Sequence, residues 1–276
     1  MKSIGKLIVF GMILTFVAGC NNQDFTGYGT LKLSITDAPF PLEYIDSANV
    51  TITKVEVRAQ ADTTETDTVD SEFFTVMEES RTFNLLELRN GVMEVLGEID
   101  LEEGNYDLIR VYVEEASLSV AGGETFNLMV PSGSQTGIKV FVTPAISIND
   151  GMTSEVLLDF SLERSFILKG NMDTPAGIIG FNFVPVIRAV DLAATGTVSG
   201  MVSDTAMNAI GNASVWISQD TVIASAMTDT TGYYAIPGIT AGTYTLSATA
   251  AGYDTLTVND VVVNAGSLTE VDFEFE

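Results

Sequence analysis

From residue 30 onward, apolar residues recur at every second position, the period of half-buried strands. In Thr30-Leu31-Lys32-Leu33-Ser34-Ile35-Thr36 the side chains of Leu31, Leu33 and Ile35 share one face. Asp37-Ala38-Pro39-Phe40-Pro41 stops that strand, because two prolines cannot continue a ladder and Asp37 favours a turn. A second strand is expected over Ala48 to Arg58. There Val50 and Ile52 keep one parity while Val55 and Val57 take the other, which predicts a bulge near Thr53. Ala59 to Asp70 is threonine and acid with almost nothing apolar, an exposed hairpin loop. Strand character resumes at Phe73 to Met77 and at Thr82 to Phe83. Leu85-Leu86-Glu87-Leu88-Arg89-Asn90-Gly91 reads as a short helical turn stopped by Gly91. Further strands are expected at Leu108 to Glu114, Leu118 to Val120, Thr125 to Val130, Gly137 to Val142, Ser154 to Phe160 and Gly180 to Val190.

A second run of the same kind begins at Gly196 to Val202. It continues through Ala213 to Ile217, Ala226 to Ile236, Ile239 to Leu246, Thr255 to Val263 and Leu268 to Phe275. Asp229 and Gly232 predict a tight hairpin turn, Gly242 turns the chain, and Tyr244 plugs the end of a sandwich. The two blocks echo each other: Leu101-x-x-Gly104-x-Tyr106-x-Leu108 in the first matches Ile239-x-x-Gly242-x-Tyr244-x-Leu246 in the second. Many short strands with regular turn signals make the chain all-β, with two tandem β-sandwiches of immunoglobulin- or transthyretin-like type. The boundaries are placed at residues 29–192 and 195–276, joined by the short stretch Asp191 to Thr195.

Upstream of both blocks the pattern changes. Lys2 and Lys6 precede an apolar run from Leu7 to Val17, and small residues lead into Cys20, the only cysteine. The run falls short of the ~20 residues of a membrane-spanning helix and has the layout of a cleaved secretory signal over residues 1–19. Val17-Ala18-Gly19-Cys20 resembles the lipobox of bacterial lipoproteins, which implies lipidation of Cys20, a tether over residues 20–28 and a membrane partner reached through lipid. Asn21 after the cysteine points to the outer membrane as the location. After cleavage no thiol is left for a disulfide, so each domain must be stable through its own core.

Hydrophobic content of 46% is enough for two such cores. The formal net charge is −25, and loss of Lys2 and Lys6 with the signal makes it more negative still. A surface of that sign excludes nucleic acid and direct adsorption to anionic lipid, and it suits solubility at a cell surface or divalent cation binding. The chain has no histidine, which removes histidine triads, imidazole zinc sites and histidine general bases.

Five ordered motifs in the first block carry a family resemblance. They are Thr36-Asp37-Ala38-Pro39, Leu85 to Gly91, Gly104-Asn105-Tyr106-Asp107-Leu108-Ile109-Arg110, Pro131-Ser132-Gly133 with Thr136-Gly137-Ile138-Lys139, and Leu158-Asp159-Phe160. Together they resemble the bacterial lipoproteins of domain of unknown function 4382. That family implies an aspartate at position 161, where this chain has Ser161. The second block, with Thr228-Asp229-x-x-Gly232, Gly242-x-Tyr244 and Gly252-Tyr253, resembles the carboxypeptidase regulatory-like domain, a transthyretin-like and carbohydrate-binding-like sandwich. Its collagen-adhesin relatives often carry a Lys–Asn isopeptide. All six lysines precede residue 195, so that crosslink cannot form here.

Candidate chemistry is sparse. Alternation places Ala213, Val215 and Ile217 inward and Trp216 outward. The same parity turns Tyr234 and Ile236 in and Tyr233 out, so Trp216 and Tyr233 are candidate glycan-stacking aromatics or contacts for an envelope protein. Asp37 and Asp159 are the candidate acid–base or cation pair, with a turn-capping role as the commoner use of such positions. Asp62, Glu65, Asp67 and Asp70 offer oxygen ligands to calcium without the spacing of a dedicated loop. The expectation is a non-catalytic, lipid-anchored envelope module for binding or structure. A surface glycan binder stands second, and a carboxylate-dependent hydrolase third, since only carboxylates remain to do the work.

Overall fold

A computed structural model describes residues 27–38, 44–60, 72–130, 133–171 and 177–276. The expected signal over residues 1–19, Cys20, and the expected loop residues Asp62, Glu65, Asp67 and Asp70 lie outside the described residues. In chain order the first domain contains β1 (Tyr28–Ala38), β2 (Ile45–Ala59), β3 (Phe73–Met77), β4 (Arg81–Asn84), β5 (Glu94–Glu102), β6 (Gly104–Val120), β7 (Thr125–Leu128), β8 (Ile138–Ile148), β9 (Thr153–Ser161), β10 (Phe166–Gly170), β11 (Ile178–Phe183) and β12 (Ile187–Asp191). The second contains β13 (Thr195–Asp204), β14 (Ser214–Ser218), β15 (Val222–Met227), β16 (Tyr233–Thr240), β17 (Gly242–Thr249), β18 (Leu256–Val263), β19 (Leu268–Glu270) and β20 (Phe273–Phe275). Both are β-sandwiches, each around its own core.

In the first domain a sheet of order β12-β9-β1-β5 faces a second sheet built on β2 and β6, with β3 and β4 flanking β2, and β7 and β8 flanking β6. Leu31, Leu33 and Ile35 of β1 and Val156, Leu158 and Phe160 of β9 point into the core from neighbouring parallel strands. Burial of each such side chain stabilises the fold by about 1.5–3 kcal/mol before entropy is charged against it. The bulge near Thr53 is present as register shifts on either side of Ile52. It lets Val50 and Ile52, then Val55 and Val57, all reach the same core despite their opposite parity.

Several elements of the first domain differ from the sequence expectation, among them β10, which no alternation announced. Leu108 to Glu114 and Leu118 to Val120 are parts of one strand, β6. Glu114 and Glu115 do not interrupt it, because they are exposed where β6 continues to pair with β2. Strand β5 was not foreseen: only Leu96 and Leu101 are buried along it, five positions apart, so alternation is lost. Gly180 to Val190 divides into β11 and β12 at Val184-Pro185-Val186, where Pro185 has no N–H to give a ladder.

The second domain packs β16-β13-β19 (with β20 beside β13) against β15-β14-β17-β18. Asp229 and Gly232 form the expected tight turn, with Asp229 Oδ1 accepting the Thr231 and Tyr233 N–H groups at 2.7 and 3.1 Å. It joins β15 of one sheet to β16 of the other, so it is a crossover and not a hairpin. The closing stretch splits into β19 and β20, both parallel to β13. At the break Asp272 Oδ1 accepts the Met201 N–H at 2.7 Å.

The internal echo has one atomic meaning in both domains. Each copy lies where the chain crosses between sheets, from β5 to β6 and from β16 to β17. Tyr106 donates its hydroxyl to the Glu102 carbonyl at 3.1 Å, and Tyr244 donates to the Thr240 carbonyl at 2.8 Å. This is a tyrosine corner, in which the ring fills the sandwich end and the hydroxyl ties the crossover down. Gly242 has a steric reason: a Cβ there would lie 3.0 Å from Tyr244 Oη.

Candidate functional site

Three of the first-domain motifs, those at Thr36–Asp37, Leu85–Gly91 and Leu158–Phe160, lie near where the domains meet. Register alone separates the two candidate aspartates. On β1, Asp37 shares the parity of Leu31, Leu33 and Ile35 and faces the core. On β9, Asp159 lies between the core residues Leu158 and Phe160 and faces outward. The two carboxyls are thus on opposite sides of one sheet and cannot jointly ligate a cation or act as an acid–base pair. The expectation of a shared Asp37–Asp159 metal site is corrected on that ground. Among the described residues no three His, Cys, Asp or Glu side chains form a metal-ligand cluster.

Asp37 is a buried cap. Its Oδ1 accepts the Leu162 N–H at 3.2 Å, at the start of the helical turn Leu162–Ser165, and Oδ2 is buried without a partner among the described residues. Burial pushes its carboxyl well above the ordinary value of 3.8. The nearby Asp159 charge adds to the rise, while the Leu162 N–H and the more distant Arg89 oppose it. The folded state therefore holds this proton after the unfolded chain has released it. The stabilising contribution is full below the unfolded value and is lost as pH climbs towards the folded one. Asp37→Asn, which cannot ionise, should melt increasingly above the parent as pH rises from about 4 to 7. Thermal melts of both proteins across that range read the difference. A constant gap would show that Asp37 does not carry this proton.

Asp159 belongs to the junction. Arg188, directly opposite it on β12, donates Nη2 and Nε to Asp159 Oδ2 at 2.8 and 3.3 Å. The same guanidinium gives Nη1 to the Gly238 carbonyl of the second domain at 3.0 Å. Gly238 has φ +70°, and a Cβ there would sit 2.8 Å from Val190 Cγ2, so the second domain's backbone lies directly on the first domain's sheet. On the same outer face, Thr36 donates its hydroxyl to the carbonyls of Leu88 and Val92 at 3.0 and 2.8 Å. That bond holds the Leu85 to Gly91 turn beside the second domain, where a Cβ on Gly91 would touch Ala235 at 3.4 Å. Between the domains, Asp191 Oδ1 accepts the Ala193 N–H at 2.9 Å and caps a 3-10 turn over Leu192–Ala194. Sequence reasoning missed Arg188. Its signal was a single charge in the apolar run Phe183-Val184-Pro185-Val186-Ile187-Arg188-Ala189-Val190, which requires a partner.

The aromatic candidates part in the same way. Val215 and Ile217 are in the core, so Trp216 stands half-buried on the outer face of the β15-β14-β17-β18 sheet, between Ser225 and Ser247. Tyr234 and Ile236 are in the other wall of the core. Tyr233 therefore lies on the opposite outer face, 38% exposed. Each points outward as expected, but they do not form one sugar-binding platform.

Two tandem sandwiches clamped through an arginine define a two-domain β-module. The chain belongs to the family described as domain of unknown function (DUF4382), matched over residues 28–174, and residues 197–276 are a carboxypeptidase regulatory-like domain. No curated protein matches it. The chain is also similar, remotely, to solved structures of surface proteins. The Bacillus anthracis TIE protein is 13% identical with a TM-score of 0.25, over 90% of this chain and 34% of that one. The minor pilin GBS52 of Streptococcus agalactiae is 12% identical with a TM-score of 0.24, over 88% and 94% of the two chains. The shaft pilin of Lactobacillus rhamnosus GG is 10% identical with a TM-score of 0.27, over 90% and 98%. The chain spans about a third of the TIE protein. Similarity at this level carries no functional inference.

Proposed function

We propose that this chain is a non-catalytic, lipid-anchored module of the bacterial cell envelope, held by acylated Cys20 at the outer membrane and serving there in binding or structure. One observation carries the reading: the carboxylates best placed for chemistry are used as structure. Asp37 caps a turn from inside the core, and Asp159 holds the arginine that joins the domains. With histidine absent from the sequence, neither Asp37 nor Asp159 belongs to an assembled acid–base pair among the described residues. Among the described residues no helix is long and apolar enough to cross a membrane. The full precursor, produced in a Gram-negative host fed an alkyne-tagged fatty acid, should take up the tag and fractionate with outer membrane. Cys20→Ala should abolish the tag. Tagging that persists in Cys20→Ala, or a wild-type chain that stays untagged, overturns the anchoring.

A further inference from the structure

A cleft of about 560 Å³ lies between the domains beside the arginine clamp. One wall is the outer face of the first domain's sheet, with Asp159, Ser161, Val186 and Arg188, and with Arg164 from the adjoining helical turn. The other wall is Thr221 to Ser225, five consecutive residues that include the first four of β15. Successive strand residues point to opposite faces, so a cleft lined by an unbroken run borders the strand's edge rather than one of its faces. Among the described residues that edge is free of ladder partners: β15 ends its sheet and pairs only with β14. A bulge at Ile223 bends one end, and the regular ladder runs on from Ala224 to Met227. Row after row of outward N–H and C=O groups is what an added strand pairs with.

Charge narrows the occupant. The second domain contains no Lys or Arg. In the cleft, Arg188 is already neutralised by Asp159. Arg164 is exposed and makes no hydrogen bond or ion pair among the described residues. Among the described residues the cleft therefore holds one guanidinium without an ion-pair partner, within a strongly acidic molecule. Such a site accepts a single carboxylate and repels a run of them. Val222, 57% exposed at the cleft, adds an apolar contact for a β-branched side chain.

We infer that this cleft receives an extended peptide segment, which adds to the free edge of β15 and places one carboxylate, from a side chain or its own C-terminus, on Arg164. The inference deepens the reading of the chain as an envelope module only by naming the partner's chemistry. Binding is measured on the soluble mature chain with Cys20 replaced, so it stands or falls independently of lipid attachment.

The test is selection of a displayed random octapeptide library on that chain, followed by fluorescence anisotropy of the enriched peptides. The expected peptides share one acidic position among alternating β-branched residues. Arg164→Glu, with an unchanged melting temperature, should weaken them at least about tenfold and, on reselection, exchange the acid for Lys or Arg. N-methylation of alternate peptide nitrogens should abolish binding in one phase and be tolerated in the other, which a docked side chain alone would not produce. Three results would overturn the inference. One is a library that yields nothing above background. Another is a set of peptides indifferent to Arg164→Glu or to the methylation phase. The last is an Arg164-dependent response to galacturonate oligosaccharides in the absence of any bound peptide, which would assign the cleft to acidic sugar.

Discussion

Arg188→Ala should cost about 2–4 kcal/mol and loosen the two domains from each other at the same time. The guanidinium makes three bonds across two domains, and its removal leaves two acceptors without donors. Among the described residues, the Asp159 carboxylate loses its ion-pair partner where its side chain is only 11% exposed, and the Gly238 carbonyl loses its one side-chain donor. Breaking a fully buried pair typically costs ~3–5 kcal/mol; the 29% exposure of the Arg188 side chain lets water offset part of that, hence the lower range. Asp159→Ala removes the charge together with its partner's anchor. The double variant should then cost less than the two single changes summed, with a coupling of about 1.5 kcal/mol or more. Calorimetry is the right measurement because two domains need not unfold as one unit. The first-domain transition should shift in all three variants, and small-angle scattering should show a longer particle when Arg188 is gone. Additive costs with an unchanged particle would mean that Arg188 is a surface residue with an incidental contact.

How much of this was legible in the sequence depends on the kind of interaction. Period-2 alternation in Leu31, Leu33 and Ile35, and in Val215 and Ile217, identified strands because each had one wet face and one dry face. The parity change after Ile52 even located a bulge, since only an extra residue could return Val55 and Val57 to the core. Strand β5 escaped for the converse reason: its exposed side is charged and its buried residues are too widely spaced to show a period. The candidate site failed at a different level. Asp37 and Asp159 are both candidates on spacing, but only Asp159 sits at the junction, while Asp37 faces the first-domain core. Which side of the sheet each faces is decided by the register of β1 on β9, a long-range pairing that spacing along the chain does not contain. Trp216 and Tyr233 illustrate the same limit. Local parity turned each of them outward correctly, while sheet membership put them on opposite faces. Arg188 was visible only as an odd charge in an apolar run, and its partners lie 29 and 50 residues away.

The tyrosine corners are the element where local sequence and tertiary role coincide, and truncating either ring should have the largest effect on its own domain. Tyr106 and Tyr244 are both buried at a crossover between sheets, so Tyr→Ala at either should cost about 3–5 kcal/mol through lost burial and an unfilled cavity. Tyr→Phe separates the two functions of the residue. The ring still fills the sandwich end, but the carbonyl of Glu102 or Thr240 loses its hydroxyl donor, for an expected cost of about 1–1.5 kcal/mol. The Thr240 hydroxyl also lies 2.9 Å from Tyr244 Oη, so the second-domain corner is doubly tied and should show the larger Phe effect of the two. Because the cores are separate, Tyr106 variants should lower the first calorimetric transition and Tyr244 variants the second, each leaving the other near its original temperature. A Tyr244 change that lowers both transitions equally would instead show that the Arg188 clamp makes the sandwiches unfold together. In that case the echo stabilises one cooperative unit rather than two.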